Sequence, residues 1–460
     1  MSFAKRIGFI ALGLILLIVA VCWGYWTYRQ YRASQTPIPH DATSVVRIHV
    51  DGLIRDITWN TLWNGVGYRD TVGKPSTTFS LKRWKQLGIP IPAIFFLYQV
   101  DHARSNEFPD VYFSSLAVED PVAFAAWLHD NLSMEISPSE NGTVALSERA
   151  LIVIQQKRAL LALLPTRPNT PISLLTDVLV DLLQPQNGNV AVSKSDFREI
   201  LQDDGQVSGH GIHRFSVDFK KGLVAFRGRY KMDYTPDRLE STPHFADTNS
   251  ASLWVQGDLT GFLSGRQFDI GGHTLHGDSL LHHYKGRIAL EWKDTVAQQD
   301  TLVNFDYDDN FELVETREIV DKSVPEIYCS IRADSGLTDY LNAQGVLRVP
   351  GNTVNRDVFP LFRLGASILP SGYIQLHTAS EALAPPTPSG RNGELLNLRV
   401  DFNKLQIPDL PPSLVPYTQA ADVLELSGLP ISANEVAVRG TLRMKDTQVH
   451  SLVQLLALLN

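Results

Sequence analysis

Histidine and carboxylate side chains crowd one short stretch of this 460-residue chain. In GGHTLHGDSLLHHYKGR, residues 271–287, His273, His276, His282 and His283 surround Asp278. Imidazole nitrogens and a carboxylate at short spacing can ligate zinc, which makes His273, His276, Asp278 and His282 the candidate metal ligands. Against this, the spacing matches no established zinc pattern, and Gly271, Gly272 and Gly277 read as a histidine-rich surface loop. His210 and His213, in SGHGIH, stand at a loop-to-strand junction and read the same way. A second cluster, Asp306, Asp308, Asp309 and Glu312 in NFDYDDNFE, offers the oxygen donors that calcium takes. It has no glycine where an EF-hand loop turns. Phe305, Tyr307 and Phe311 alternate with the acids, the pattern of a strand with one wet face. The sequence holds no G-x-S-x-G, H-E-x-x-H, C-x-x-C or G-x-x-x-x-G-K pattern, so no catalytic residue and no cofactor is implied.

The elements that must position these groups repeat along the chain. Val224-Ala225-Phe226-Arg227-Gly228-Arg229-Tyr230-Lys231-Met232 matches Val436-Ala437-Val438-Arg439-Gly440-Thr441-Leu442-Arg443-Met444. In each, apolar and basic or small side chains alternate, as in a half-buried antiparallel strand. Three weaker matches keep the same order: Ile48–Gly52 with Leu253–Gly257, Ile94–Asp101 with Arg287–Asp294, and Val111–Ser114 with Ile327–Ser330. Matches in one order at a spacing near 200 residues point to an internal duplication. Each copy predicts a first strand with a short helix, a strand pair, and a strand running into a helix. In the first copy the last of these helices starts at Asp120-Pro121, with proline suited to the first turn. Ile172–Leu183 has apolar residues at helical spacing, and Ser451–Leu459 predicts a last apolar helix docked on the sheet. The expected fold is therefore α+β: two tandem related units with mainly antiparallel sheets and short helices, preceded by one N-terminal transmembrane helix. The divisions are 1–35 for the anchor, 36–243 for the first copy and 244–460 for the second, with the boundary in the polar stretch Thr235–Asn249. Residues 380–392 read as an exposed loop.

The anchor reading rests on Ile7–Trp26, 20 residues without a charge, about the length that spans a hydrocarbon core of ~30 Å. Lys5 and Arg6 precede it, and Trp23, Tyr25, Trp26, Tyr28 and Tyr31 suit the headgroup layer. Bulky residues at the end of the run argue against a cleaved signal, and Val21 is large for lipid attachment at Cys22. Residues 33–44 read as a short linker. The expectation is a signal-anchored, single-pass protein of a bacterial inner membrane, contacting the bilayer through Ile7 to Trp26, with its body in the periplasm.

Formal charge is −8, while residues 1–35 carry four basic residues and no acid, so the body is more acidic still. That argues against a nucleic-acid partner, which needs a basic face. The two cysteines, Cys22 and Cys329, are too differently placed to pair. A core large enough to need no disulfide suits a bacterial envelope protein.

Ile38-Pro39-His40-Asp41-Ala42, followed by Val45-Val46-Arg47-Ile48 and Leu53, resembles the start of the ectodomain in a group of uncharacterised bacterial envelope proteins with a domain of unknown function. Arg439-Gly440-Thr441-Leu442, then Lys445-Asp446 and the leucine-rich Ser451–Leu459, resembles its end. Many of that group are similar to lipoproteins, from which the long anchor departs. The resemblance implies location and fold, not a reaction. The function expected is a non-enzymatic binding or scaffold module for a protein or envelope polymer. The alternative is an envelope hydrolase or lipid-handling protein with its site between the copies.

Overall fold

The computed structural model describes the chain except residues 1–2, 65–86, 101–110, 141, 165–171, 184–187, 232–238, 308–312, 349–351, 388–392, 406–414, 433 and 459–460. Its contacts divide it into two compact units, Met1–Phe219 and Lys220–Asn460.

Unit 1 opens with helix α1 (Phe3–Ser34), strand β1 (Pro37–Ile38), β2 (Ala42–Ile48) and α2 (Val50–Trp63). Strands β3 (Phe95–Val100) and β4 (Tyr112–Ala117) lead to α3 (Pro121–Leu132), then β5 (Glu135–Ser139), β6 (Gly142–Leu146), β7 (Ala150–Gln155) and β8 (Arg158–Leu163). After α4 (Ile172–Leu183) come β9 (Val190–Ala191), β10 (Val207–His210) and β11 (Arg214–Lys220). The strands pair antiparallel in the order β11-β10-β2-β3-β4-β8-β7-β6-β5. Helix α3 starts as its sequence predicts: Pro121 occupies the first turn, and the Asp120 carboxylate accepts from Val122 N and Ala123 N at 3.1 and 3.0 Å. Phe124 and Leu128 of α3 bury one end of the sheet on one face, and Leu175, Val178, Leu179 and Leu182 of α4 bury the other face. Leu151–Ile154 of β7 lie between those layers, so four consecutive residues are buried and the polar–apolar alternation disappears.

Unit 2 comprises β12 (Leu223–Lys231), β13 (Ala251–Gln256), α5 (Thr260–Leu263), β14 (Gln267–Ile270), β15 (His273–His276) and α6 (Gly277–His283). The long strands β16 (Tyr284–Tyr307) and β17 (Leu313–Ala333) follow, then α7 (Gly336–Ala343), β18 (Leu347–Arg348), β19 (Thr353–Val354), β20 (Gly365–Leu369) and β21 (Tyr373–His377). The unit closes with β22 (Leu396–Asp401), α8 (Val415–Ala420), β23 (Ala421–Ser432), β24 (Glu435–Met444) and α9 (Ser451–Ala457). Its sheet runs β12-β24-β23-β22-β13-β16-β17-β21-β20, every pair antiparallel. One face of that sheet is apolar across nine strands. Phe226, Gly440, Leu426, Leu398, Leu253, Leu290, Cys329, Leu376 and Ala366 lie side by side in register along it. Most of these side chains are half-buried. The burial that exists pushes the Cys329 thiol up to about 11, so it stays protonated at neutral pH.

Two of the matched strands have comparable neighbours. β2 lies between β10 and β3, as β13 lies between β22 and β16. β12 and β24 pair with each other, and Arg227 falls opposite Arg439, the residues that the sequence match sets equivalent. This pairing puts β12 in unit 2, so the contact boundary precedes the polar stretch Thr235–Asn249.

The expected fold class and location need correction. Strand accounts for 45% of the structure and helix for 26%, so the architecture is mainly antiparallel β and not a balanced α+β. Much of the excess lies in β16 and β17. Their alternating sequence keeps pairing from Thr295↔Pro325 to Tyr307↔Leu313, past a bulge at Trp292/Thr295. Among the described residues no helix is long and apolar enough to cross a membrane, so the single-pass inner-membrane anchor and the periplasmic body it implied are withdrawn. The side chains of 1–15, 18 and 19, within the expected anchor, lie outside the described residues. The run from Ile7 does not end before a linker either. It belongs to one 32-residue helix whose last turns dock on unit 1. Arg29 pairs with Asp51 at 2.7 Å and donates to Ile91 O at 3.0 Å, Trp26 meets His49 edge-on, and Ala33 packs on the core. The expected linker is likewise β1 and the start of β2, with Ile38 buried.

Candidate functional site

The histidine-rich stretch is regular structure. Gly271 and Gly272 both adopt positive φ, 57° and 80°, and close a two-residue hairpin between β14 and β15. At Gly277 a side chain would collide with the Leu263 carbonyl oxygen, so this glycine permits α5 and α6 to approach. The candidate ligands are each engaged by different neighbours. His273 Nδ1 lies 2.8 Å from Gln344 O, and Asn355 Nδ2 donates to His273 Nε2 at 3.3 Å, which occupies both ring nitrogens. The His276 backbone N–H donates to Tyr340 Oη at 2.8 Å. Asp278 accepts from Ser264 Oγ at 2.9 Å and Gly265 N at 3.1 Å, tying the α6 start to the end of α5. His282 stacks edge-on against His283, and His283 Nδ1 lies 2.7 Å from Asp334 Oδ1. Among the described residues no group of three or more His, Cys, Asp or Glu is placed to hold a metal ion. Asp306 belongs to β16, while Asp308, Asp309 and Glu312 lie outside the described residues. His210 ends β10 and lies 2.8 Å from Asp203 Oδ2.

Lys285 and His283 hold the Asp334 carboxyl down at about 2, below its ordinary value of 3.8. A depressed folded value means that the contact favours folding above the unfolded value and is lost as pH falls from about 4 toward 2. Following the Asp334 side-chain carboxyl carbon by NMR is expected to show it still ionised at pH 3. Lys285→Ala should raise its midpoint, and an unchanged midpoint would contradict the pairing.

The feature with concentrated charge is elsewhere, on the polar face of β12, β24, β23 and β22. Alternation puts Arg227, Arg439, Ser427 and Asn397 side by side there, and two residues along it Ala225, Thr441, Glu425 and Arg399. These residues line a shallow groove of about 660 Å³. Arg399 is answered by Glu425 at 3.8 Å and Asp401 at 3.7 Å, and Lys231 lies opposite Glu435. Arg439 is exposed and has no ion pair among the described residues. It stands directly across from exposed Arg227, with Arg229 next on the same face of β12. Like charges directly opposite on an antiparallel pair destabilise it by roughly 0.2–1 kcal/mol. Sequence reasoning found both strands and their basic face but not this opposition, because the pairing of β12 with β24 depends on the fold.

No family model and no curated protein matches the chain. It is similar to solved structures of TP0453. Crystal form I gives 10% identity and a TM-score of 0.24, covering 44% of this chain and 80% of that one. Form III gives 11% identity and 0.21, covering 74% and 90%, and form IV gives 10% and 0.19, covering 77% and 94%. At such scores these likenesses carry no argument about fold or function.

Proposed function

We propose that the protein is a non-enzymatic binding module that engages an acidic, carboxylate-bearing polymer or peptide on the polar face of β12, β24, β23 and β22. The observation that carries this reading is the exposed Arg227–Arg439 opposition in a chain of net charge −8. Guanidinium forks match carboxylates in two-pronged geometry, and an open groove suits an extended partner more than a small molecule. The basic residues come from adjacent strands of one sheet, which fixes their spacing without help from a loop. A bound carboxylate between the two guanidiniums relieves their repulsion.

The full chain is expected to bind poly-L-glutamate in titration calorimetry, with affinity falling as salt rises because exposed charges are screened. Neutral poly-L-glutamine should not bind. No binding of poly-L-glutamate at low salt would reject the reading. The hydrolase alternative drew on His273, His276, Asp278 and His282, and the hydrogen bonds of His273, His276 and Asp278 run to separate segments.

A further inference from the structure

A separate cleft lies wholly in unit 1, where the sheet parts. β3 and β4 are joined at a single pair, Tyr98↔Phe113. Beyond it the ladder stops, and Ser114 Oγ donates to Phe96 O at 2.6 Å. The parting leaves a cavity of about 530 Å³ that reaches the last turn of α1 and the β7–β8 turn. That volume is ordinary for a small-molecule site, which spans roughly 300–1,000 Å³.

Its lining is chemically one-sided. Arg32 comes from α1, while Lys157 and Arg158 come from the β7–β8 turn, which Gln156 makes possible by adopting φ 47°. Among the described residues no acidic one lines it. Lys157 and Arg158 are exposed and make no ion pair among the described residues. The wall also holds Leu116 and Leu182 as apolar surface. Asn189 contributes a side-chain oxygen that is buried without a hydrogen-bond partner. A buried acceptor left unpaired is costly, by about 1–3 kcal/mol, so a ligand that can donate to it is favoured.

We propose that this cleft binds a phosphate monoester with a short apolar body. Its phosphate is held by Arg32, Lys157 and Arg158, its body rests on Leu116 and Leu182, and a protonated oxygen of the ligand can donate to Asn189. Three cations from two elements favour phosphate, whose oxygens accept several charge-assisted bonds at once. The ligand can be a free organic phosphate or a lipid headgroup, since both present the same group.

The test uses the full chain and octyl phosphate in titration calorimetry. One equivalent is expected to bind, and octyl glucoside, with the same chain and no charge, is expected to bind at least about 10-fold more weakly. Arg32→Gln combined with Arg158→Gln should weaken octyl phosphate by at least about 10-fold, with the thermal midpoint unchanged because both side chains are exposed. Asn189→Leu, read separately, should weaken it less. Vesicles of phosphatidylcholine with one-fifth phosphatidic acid separate the sources. Co-sedimentation lost in the double variant assigns a lipid headgroup, and no co-sedimentation beside tight octyl phosphate binding assigns a free ester. No binding of octyl phosphate, equal binding of octyl glucoside, or full binding by the double variant would overturn the proposal.

Discussion

Arg47→Ala is expected to destabilise unit 1 by about 3–5 kcal/mol. Arg47 sits in β2 with its side chain on the core face and is 3% exposed. Its guanidinium donates to three backbone carbonyls, Leu201 O at 3.1 Å and Asp203 O and Gly205 O at 2.6 Å. No carboxylate bonds to it in that set, so desolvation dominates and lowers its pKa. Removing it leaves three carbonyls at the end of the turn Arg198–Gln202 without their donor and opens a cavity beside β2 and β10. Native-state hydrogen exchange at the amides of β2, β3 and β10 reads the loss locally, so unit 2 need not unfold with unit 1. Protection there should fall by about 100- to 1,000-fold or more. Arg47→Lys should recover only part of it, because an ammonium cannot reach three carbonyls in a fork. A change below about 1 kcal/mol would mean that water replaces the guanidinium at little cost.

The second large effect is on binding. Arg227→Glu combined with Arg439→Glu is expected to reduce poly-L-glutamate affinity by about 100-fold or more at low salt, since it replaces two attractive charges with two repulsive ones at the centre of the groove. The same charge change at Lys194 and Arg198, both exposed in unit 1, should cost about threefold or less, through net charge alone. Equal losses in the two variants would assign the effect to net charge and remove the groove from the account.

Much of this arrangement was readable in the sequence, for local reasons. The leucine and valine spacing of 172–183 coincides with α4, because a helix that buries one stripe repeats it every three to four residues. Asp120-Pro121 announced α3 through the chemistry of its cap. The alternation in Val224–Lys231 and Glu435–Met444 showed which side chains share a face. Long-range facts were not readable. Arg47 looks like the outward residue of an ordinary strand, and only the fold brings the Leu201–Gly205 carbonyls to it. Gly271-Gly272 reads as loop, although paired glycines flanked by FDI and HTL also make a tight hairpin. The candidate ligands are near in sequence, but His273, His276 and Asp278 bond to separate segments at 264–265, 340–344 and 355, and His282 stacks on His283, which no local spacing discloses. The uncharged run from Ile7 showed its own apolarity but not that its helix continues to Ser34 and pairs through Arg29.

A site held ready for an acidic partner keeps like charges opposed at some cost to stability. Arg439→Glu, measured for both thermal midpoint and poly-L-glutamate affinity, therefore tests the account most directly. It puts a carboxylate opposite Arg227, so the midpoint should rise while affinity falls by about 10-fold or more. An unchanged or lower midpoint with affinity intact would contradict the claim that this opposed arginine pair is the binding surface.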